Sequence, residues 1–60
     1  MKRKHILKKL AEAGLVFTEG GKHTKVYDTA GNFLCIVGRH VDIKVWDVLK
    51  IEKQTGIKLR

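Results

Sequence analysis

Leu15-Val16-Phe17-Thr18-Glu19-Gly20-Gly21-Lys22-His23-Thr24-Lys25-Val26-Tyr27-Asp28-Thr29-Ala30-Gly31-Asn32-Phe33-Leu34-Cys35-Ile36-Val37 is the stretch that decides the fold. It contains three short runs rich in β-branched and aromatic residues, 15–18, 22–28 and 33–37. Glu19-Gly20-Gly21 separates the first two and Thr29-Ala30-Gly31-Asn32 the last two, which predicts three strands joined by two hairpins. A two-residue turn on Gly20-Gly21 sets Thr18 opposite His23, Phe17 opposite Thr24 and Leu15 opposite Val26. A turn on Ala30-Gly31 sets Val26 opposite Cys35 and His23 opposite Gly38. Strand side chains alternate with period two, so both registers sort the residues onto the same faces. Leu15, Phe17, Thr24, Val26, Phe33, Cys35 and Val37 share one face, apolar enough to floor a core. Val16, Thr18, His23, Lys25, Tyr27, Leu34 and Ile36 share the other.

Working outward, Ile6, Leu7, Leu10 and Ala11 recur at helical spacing between Arg3 and Ala13. Gly14 then stops the helix, with Leu15 placed to touch Leu10. Beyond the strands, Asp47 is read as an N-cap, Trp46 as a staple onto Ile51, and Gly56 with Ile57 as a second glycine stop, predicting a helix over Val48–Thr55. Residues 38–45 read as irregular or as a single turn. The expected architecture is α+β in the order α-β-β-β-α, a single domain over residues 1–60 with both helices on the apolar face of an antiparallel sheet.

Sixty residues with 13 Lys and Arg against 6 Asp and Glu carry a formal charge of +7. A domain this small buries only about 60% of the surface of its unfolded chain, which argues against a deeply enclosed active site. The charge makes a positive field that attracts polyanions, nucleic acid first among them. No apolar run approaches the ~20 residues that span a bilayer, and no secretory leader pattern opens the chain, so no membrane role and a cytoplasmic location are expected. Cys35 is the single cysteine; with no second thiol it forms no internal disulfide or zinc site, which fits a reducing compartment. The acids are scattered without ligand spacing, so neither a metal nor any other cofactor is expected.

Three segments, Gly20-Gly21-Lys22-His23-Thr24-Lys25-Val26-Tyr27, Val37-Gly38-Arg39-His40 and Ile51-Glu52-Lys53-Gln54-Thr55-Gly56-Ile57, resemble the HicA family of toxins from bacterial and archaeal toxin–antitoxin pairs. The resemblance spans essentially the whole chain. It implies a fold similar to the double-stranded RNA-binding domain, in keeping with the order read independently from the residues. It further implies a type II toxin that cleaves mRNA, is silenced by a HicB-like antitoxin, and meets DNA only through the antitoxin complex. The family's Gly-x-x-His falls on His23, which the resemblance implies to be catalytic. Two positions depart from the family pattern: Gly38 replaces a proline before the Arg-His pair, and Trp46 replaces a small residue.

The chemistry fits these residue types. Metal-free RNA cleavage takes a proton from the ribose 2′-OH and returns one to the departing 5′ oxygen, and an ordinary histidine pKa of about 6.5 suits both transfers. His23 leaves the second transfer unassigned. His40 is one candidate for it, because strand 3 returns past His23 at Gly38, and it is also a candidate for RNA contact; the alternative reading is a loop histidine that shapes the turn. Lys22, Lys25 and Arg39 surround the predicted site and are candidates for guiding an RNA backbone. Lys25 reads either as a phosphate stabiliser or as a solvated strand lysine. Lys2, Arg3 and Lys4 read either as phosphate contacts or as a solvated helix start. A Cys35–histidine nucleophile is excluded, since the two fall on opposite faces. Val16, Leu34 and Ile36, apolar on the open face, are expected with Lys25 to form the antitoxin interface. The alternative reading is a non-catalytic module of double-stranded-RNA type that recognises RNA shape without cutting it.

Overall fold

In the computed structural model, which describes residues 1–60, the central stretch forms β1 (Val16–Glu19), β2 (His23–Tyr27) and β3 (Phe33–Gly38). They make one open antiparallel sheet in the order β1-β2-β3. Helix α1 (Arg3–Glu12) precedes the sheet and α2 (Val45–Thr55) follows it, giving the order α-β-β-β-α.

The β2–β3 register agrees with the reading from sequence, with Val26 opposite Cys35 and His23 opposite Gly38. The β1–β2 register is displaced by two residues: Phe17 faces Val26, Thr18 faces Lys25 and Glu19 faces Thr24. The cause is local, since the Gly20 N–H donates to the His23 carbonyl at 2.9 Å and centres the turn on Gly21-Lys22. Moving a turn by one residue moves the register by two, so the faces are unchanged.

The second hairpin departs from expectation at its loop. The Asp28 carboxylate accepts the N–H groups of Ala30 and Asn32 at 2.9 and 2.8 Å and the Asn32 amide at 3.1 Å, while Gly31 takes a φ of +87°. This tight loop is accommodated by a bulge after Val26, so Tyr27 pairs with Phe33 instead of Leu34. Phe33 is thereby removed from the core face assigned to it from sequence. It lies 56% exposed, its ring edge-on to Tyr27 at 5.8 Å.

The core joins Ile6 and Leu10 of α1, Val26, Cys35 and Val37 of the sheet, and Val48 and Ile51 of α2, with Leu15 and Phe17 packed at its margin. Both helices therefore cover the one apolar face. Two further core residues, Ile43 and Leu59, come from the short segments that precede and follow α2. Residues 41–43 are not a loose connection: the Arg3 N–H donates to the Val41 carbonyl at 2.9 Å and the Ile43 N–H to the Met1 carbonyl at 2.8 Å, a short antiparallel bridge to the N-terminal segment. At the other end, a Glu52 carboxylate oxygen accepts the N–H groups of Leu59 and Arg60 at 2.7 and 3.2 Å. This clasp folds the tail over the core.

Helix α1 ends as its sequence predicts. The Gly14 N–H reaches Ala11 and the Leu15 N–H reaches Leu10, the paired bonds of a Schellman stop, with Gly14 at φ +88°. Helix α2 begins three residues earlier than expected. Lys44, not Asp47, is the N-cap, and no side chain caps it. Burial of Ile43 sets the entry to the helix, and Asp47 instead lies in the first turn, where a carboxylate complements the helix dipole. The expected Trp46–Ile51 staple is absent: Ile51 is buried and Trp46 is 72% exposed. No helix is long and apolar enough to cross a membrane.

Candidate functional site

Thr24 is the one polar side chain in the buried interior, and it organises the end of the sheet that carries His23. Its hydroxyl accepts a hydrogen bond from the Arg3 guanidinium and donates to Glu19 Oε1 at 2.8 Å. The other Glu19 oxygen accepts from Arg39 Nη2 at 2.7 Å, and that guanidinium nitrogen also donates to the Gly20 carbonyl at 2.8 Å. Arg3 Nε donates to the Gly38 carbonyl at 2.9 Å. One continuous network, Arg3–Thr24–Glu19–Arg39, thus ties α1 to the loop before His23 and to the segment after β3. The hydrogen bond from Thr24, with the Arg39 and Arg3 charges, holds the Glu19 carboxyl below the ordinary carboxylate range.

This arrangement positions two histidines. His23 is exposed at the first residue of β2, directly across from Gly38. Directly paired residues project to the same face of a sheet, so a side chain at Gly38 would point to the His23 side. A Cβ built there would lie 3.6 Å from the His40 ring. The His40 imidazole therefore sits over Gly38 on the face that His23 occupies. Gly20 matters for the same reason, since a Cβ on it would stand 2.9 Å from the His23 carbonyl oxygen and force the turn apart.

A cleft of about 900 Å³ opens here between the β3 edge and α2. Lys22, His23, Arg39 and His40 line one wall, and Lys44, Asp47, Lys50 and Gln54 line the other. Four cationic side chains face two carboxylates, and one of these, Asp42, is engaged by Lys2 at 3.2 Å. The cleft can hold an anionic strand, and its two imidazoles can carry protons. No three His, Cys, Asp or Glu side chains gather into a metal-ligand cluster.

The structure brings together Lys22, His23, Arg39 and His40 among the residues singled out from sequence. Arg39 is half-exposed and committed to Glu19 and Gly20, so it shapes the cleft as well as charging it. Lys25 is exposed on the open face, between Thr18 and Ile36, and does not line the cleft. Arg3 is not a solvated helix start, because its Nε donates to the Gly38 carbonyl and its Nη2 to the Thr24 hydroxyl. Val16 and Ile36 are 50% and 46% exposed, but Leu34 is half-buried. Val16 also stands away from His23, in a row with Tyr27 and Phe33 at the opposite end of the sheet. Cys35 is buried on the core face, and burial pushes its thiol pKa up.

Sequence reasoning missed the α2 wall of the cleft. Lys44, Asp47, Lys50 and Gln54 recur at helical spacing, a polar stripe that was legible once the helix was taken to begin at Val45. It also missed the network on Thr24, whose bonded partners lie 5 to 21 residues apart.

Compared with known proteins, the chain matches no protein-family model, no curated protein and no solved structure.

Proposed function

We propose that this chain is a HicA-like toxin, a metal-independent endoribonuclease that cleaves mRNA at the cleft and is held inactive by a partner antitoxin. The observation that carries the reading is the pairing of His23 and His40 on one face, across Gly38, inside a cleft walled by lysines and an arginine. In the proposed reaction one neutral imidazole takes the proton from a ribose 2′-OH, and the freed oxygen attacks the adjacent phosphorus. The bond from phosphorus to the 5′ oxygen breaks, and the second imidazole, protonated, gives its proton to that oxygen. The products are a 2′,3′-cyclic phosphate and a 5′-OH. Lys22 and Arg39, on the His23 side of the cleft, are the cations available to the charge that builds on the phosphate.

Inhibition in this reading is steric. Ile36 lines the cleft beside Lys25, and the Val16–Tyr27–Phe33 row continues the exposed apolar surface to the far end of the sheet. A protein with acidic residues facing Lys22 and Lys25 and apolar residues facing Ile36 and Phe33 would close the cleft without unfolding the chain. Reversal of charge at Lys25 together with Ile36→Asp is expected to weaken that complex by several kcal/mol.

The test is mRNA integrity after expression of the parent and of His23→Ala. Rapid fragmentation by the parent, with cyclic or 3′-phosphate ends and no loss of activity in a chelator, supports the reading. Undiminished cleavage by folded His23→Ala opposes it. Tight RNA binding without cleavage by the parent would favour the non-catalytic binding module.

A further inference from the structure

Trp46 is the only tryptophan in the chain and one of its most exposed apolar side chains, at 72%. It makes none of the packing contacts expected of a staple, because α2 buries Val48 and Ile51 and turns Trp46 away from them. It precedes Asp47 and stands one turn before Lys50, both of which line the cleft. Trp46, Lys50 and Lys53 fall at i, i+4 and i+7, a single stripe along the helix. The stripe is cationic, for the remaining acid of α2, Glu52, is turned to the tail through Leu59 and Arg60. A large exposed flat ring one helical turn from Lys50 of the basic cleft suits a polyanion that carries flat rings of its own.

We infer that Trp46 is a base-stacking platform for single-stranded RNA, receiving a nucleobase of the strand whose phosphates Lys44, Lys50 and Lys22 hold in the cleft. This rests on the reading of the cleft as an RNA site and adds to it the form in which RNA is taken. A base is free to stack on an exposed ring only when it has left its own duplex, so the cleft selects unpaired segments. Every base has a π-face, so the contact tolerates sequence and fixes the strand's path from Trp46 past Lys50 to the two histidines.

The lone tryptophan makes the site its own reporter. The His23→Ala chain, chosen so that RNA survives the measurement, is titrated with a short single-stranded oligoribonucleotide and separately with inorganic polyphosphate, following intrinsic fluorescence. The oligoribonucleotide is expected to quench Trp46, and Trp46→Ala, followed by a fluorophore on the RNA, is expected to bind it about tenfold or more weakly, with Trp46→Phe between the two. Polyphosphate, which has charge but no rings, should bind Trp46→Ala and its parent equally. Unchanged oligoribonucleotide affinity in Trp46→Ala overturns the proposal, as does an equal loss for polyphosphate, which would mark a damaged cleft. Protection of Trp46 by a protein partner with RNA affinity unmoved would assign the ring to that interface instead. Because binding is read without cleavage, failure of the parent to cut RNA would remove the nuclease reading while leaving a quenched, affinity-bearing Trp46 standing.

Discussion

At the far end of the sheet, Asp28 closes the β2–β3 loop with its own neighbours, accepting from Ala30 and Asn32 within four residues of itself. At the near end, Glu19 closes the β1–β2 loop through partners drawn from three places in the chain: Thr24 across the hairpin, Arg39 beyond β3 and, through Thr24, Arg3 on α1. Both carboxyls are held below their ordinary range, Asp28 chiefly by the Asn32 N–H and Glu19 chiefly by the Thr24 hydroxyl. The difference lies in what each carboxylate fixes. Asp28 fixes a loop, whereas Glu19 fixes the relative placement of an α-helix, a turn and the segment that carries His40. The two histidines stand at the end held by the long-range network.

The largest expected effect separates the two ends by activity. His23→Ala should lower the rate of RNA cleavage by about 10²–10⁴-fold, the share that one proton-transferring group supplies, and change stability by no more than about 0.5 kcal/mol. Asp28→Ala should leave the rate near that of the parent while lowering the melting temperature. A single-turnover assay beside thermal unfolding checks both.

Thr24→Val comes next. It keeps the shape of a buried side chain but removes the hydroxyl that Arg3 and Glu19 share, and should cost about 1 kcal/mol, the net worth of an ordinary hydrogen bond. Cleavage should fall with it, because Glu19, which holds Arg39, loses its tie to Thr24 and through it to Arg3. Thermal unfolding with an activity readout tests whether the network positions the site or only stabilises the fold. A stability loss without a rate loss would confine it to the latter.

The two glycines of the near turn sharpen the comparison further. Gly20→Ala sets a methyl against the His23 carbonyl and should cost about 1 kcal/mol or somewhat more. At Gly21 a Cβ meets nothing within 4 Å, so Gly21→Ala should fall within about 0.5 kcal/mol of the parent. Parallel denaturant melts decide this.

The smallest effect is on acid stability. Glu19 is more acidic in the folded chain than in the unfolded one, so its contribution is complete above the ordinary glutamate pKa of about 4.3 and is lost as pH falls through the folded value. Glu19→Gln should remove that part of the acid limb. Asp28→Asn should remove a corresponding part belonging to the far loop. Melting temperature followed against pH from 6 downward reads both.

The same contrast explains how far the sequence could be read. Gly14 with Leu15, the apolar alternation of β2 and β3, and the His23–Gly38 pairing are written in residues close together or at a fixed period. They emerge without tertiary information. The Phe33 assignment failed because the Asp28 loop inserts a bulge, and a bulge reverses the period-two bookkeeping beyond it. Ile43 and Leu59 were illegible because each lies in a short alternating segment outside the predicted elements, Val41-Asp42-Ile43-Lys44-Val45 and Ile57-Lys58-Leu59, and is buried by a backbone bridge to residues 1–3 or by the Glu52 clasp. Within the site, His23, Lys22, Arg39 and His40 were readable as a cluster around two turns. The α2 wall was not, because a helix taken to begin at Val48 leaves Lys44 and Asp47 outside it.

The central claim is that His23 and His40 divide two proton transfers within one cleft. The most direct measurement compares the parent, His23→Ala and His40→Ala on two RNA substrates, one with an ordinary 5′-oxygen leaving group and one with sulfur in that bridging position, which departs without needing a proton. The account predicts that both variants are slow on the ordinary substrate and that only one of them, the variant lacking the acid, recovers on the sulfur substrate. Parent-like cleavage of the ordinary substrate by either variant, or no recovery by either one, would contradict it.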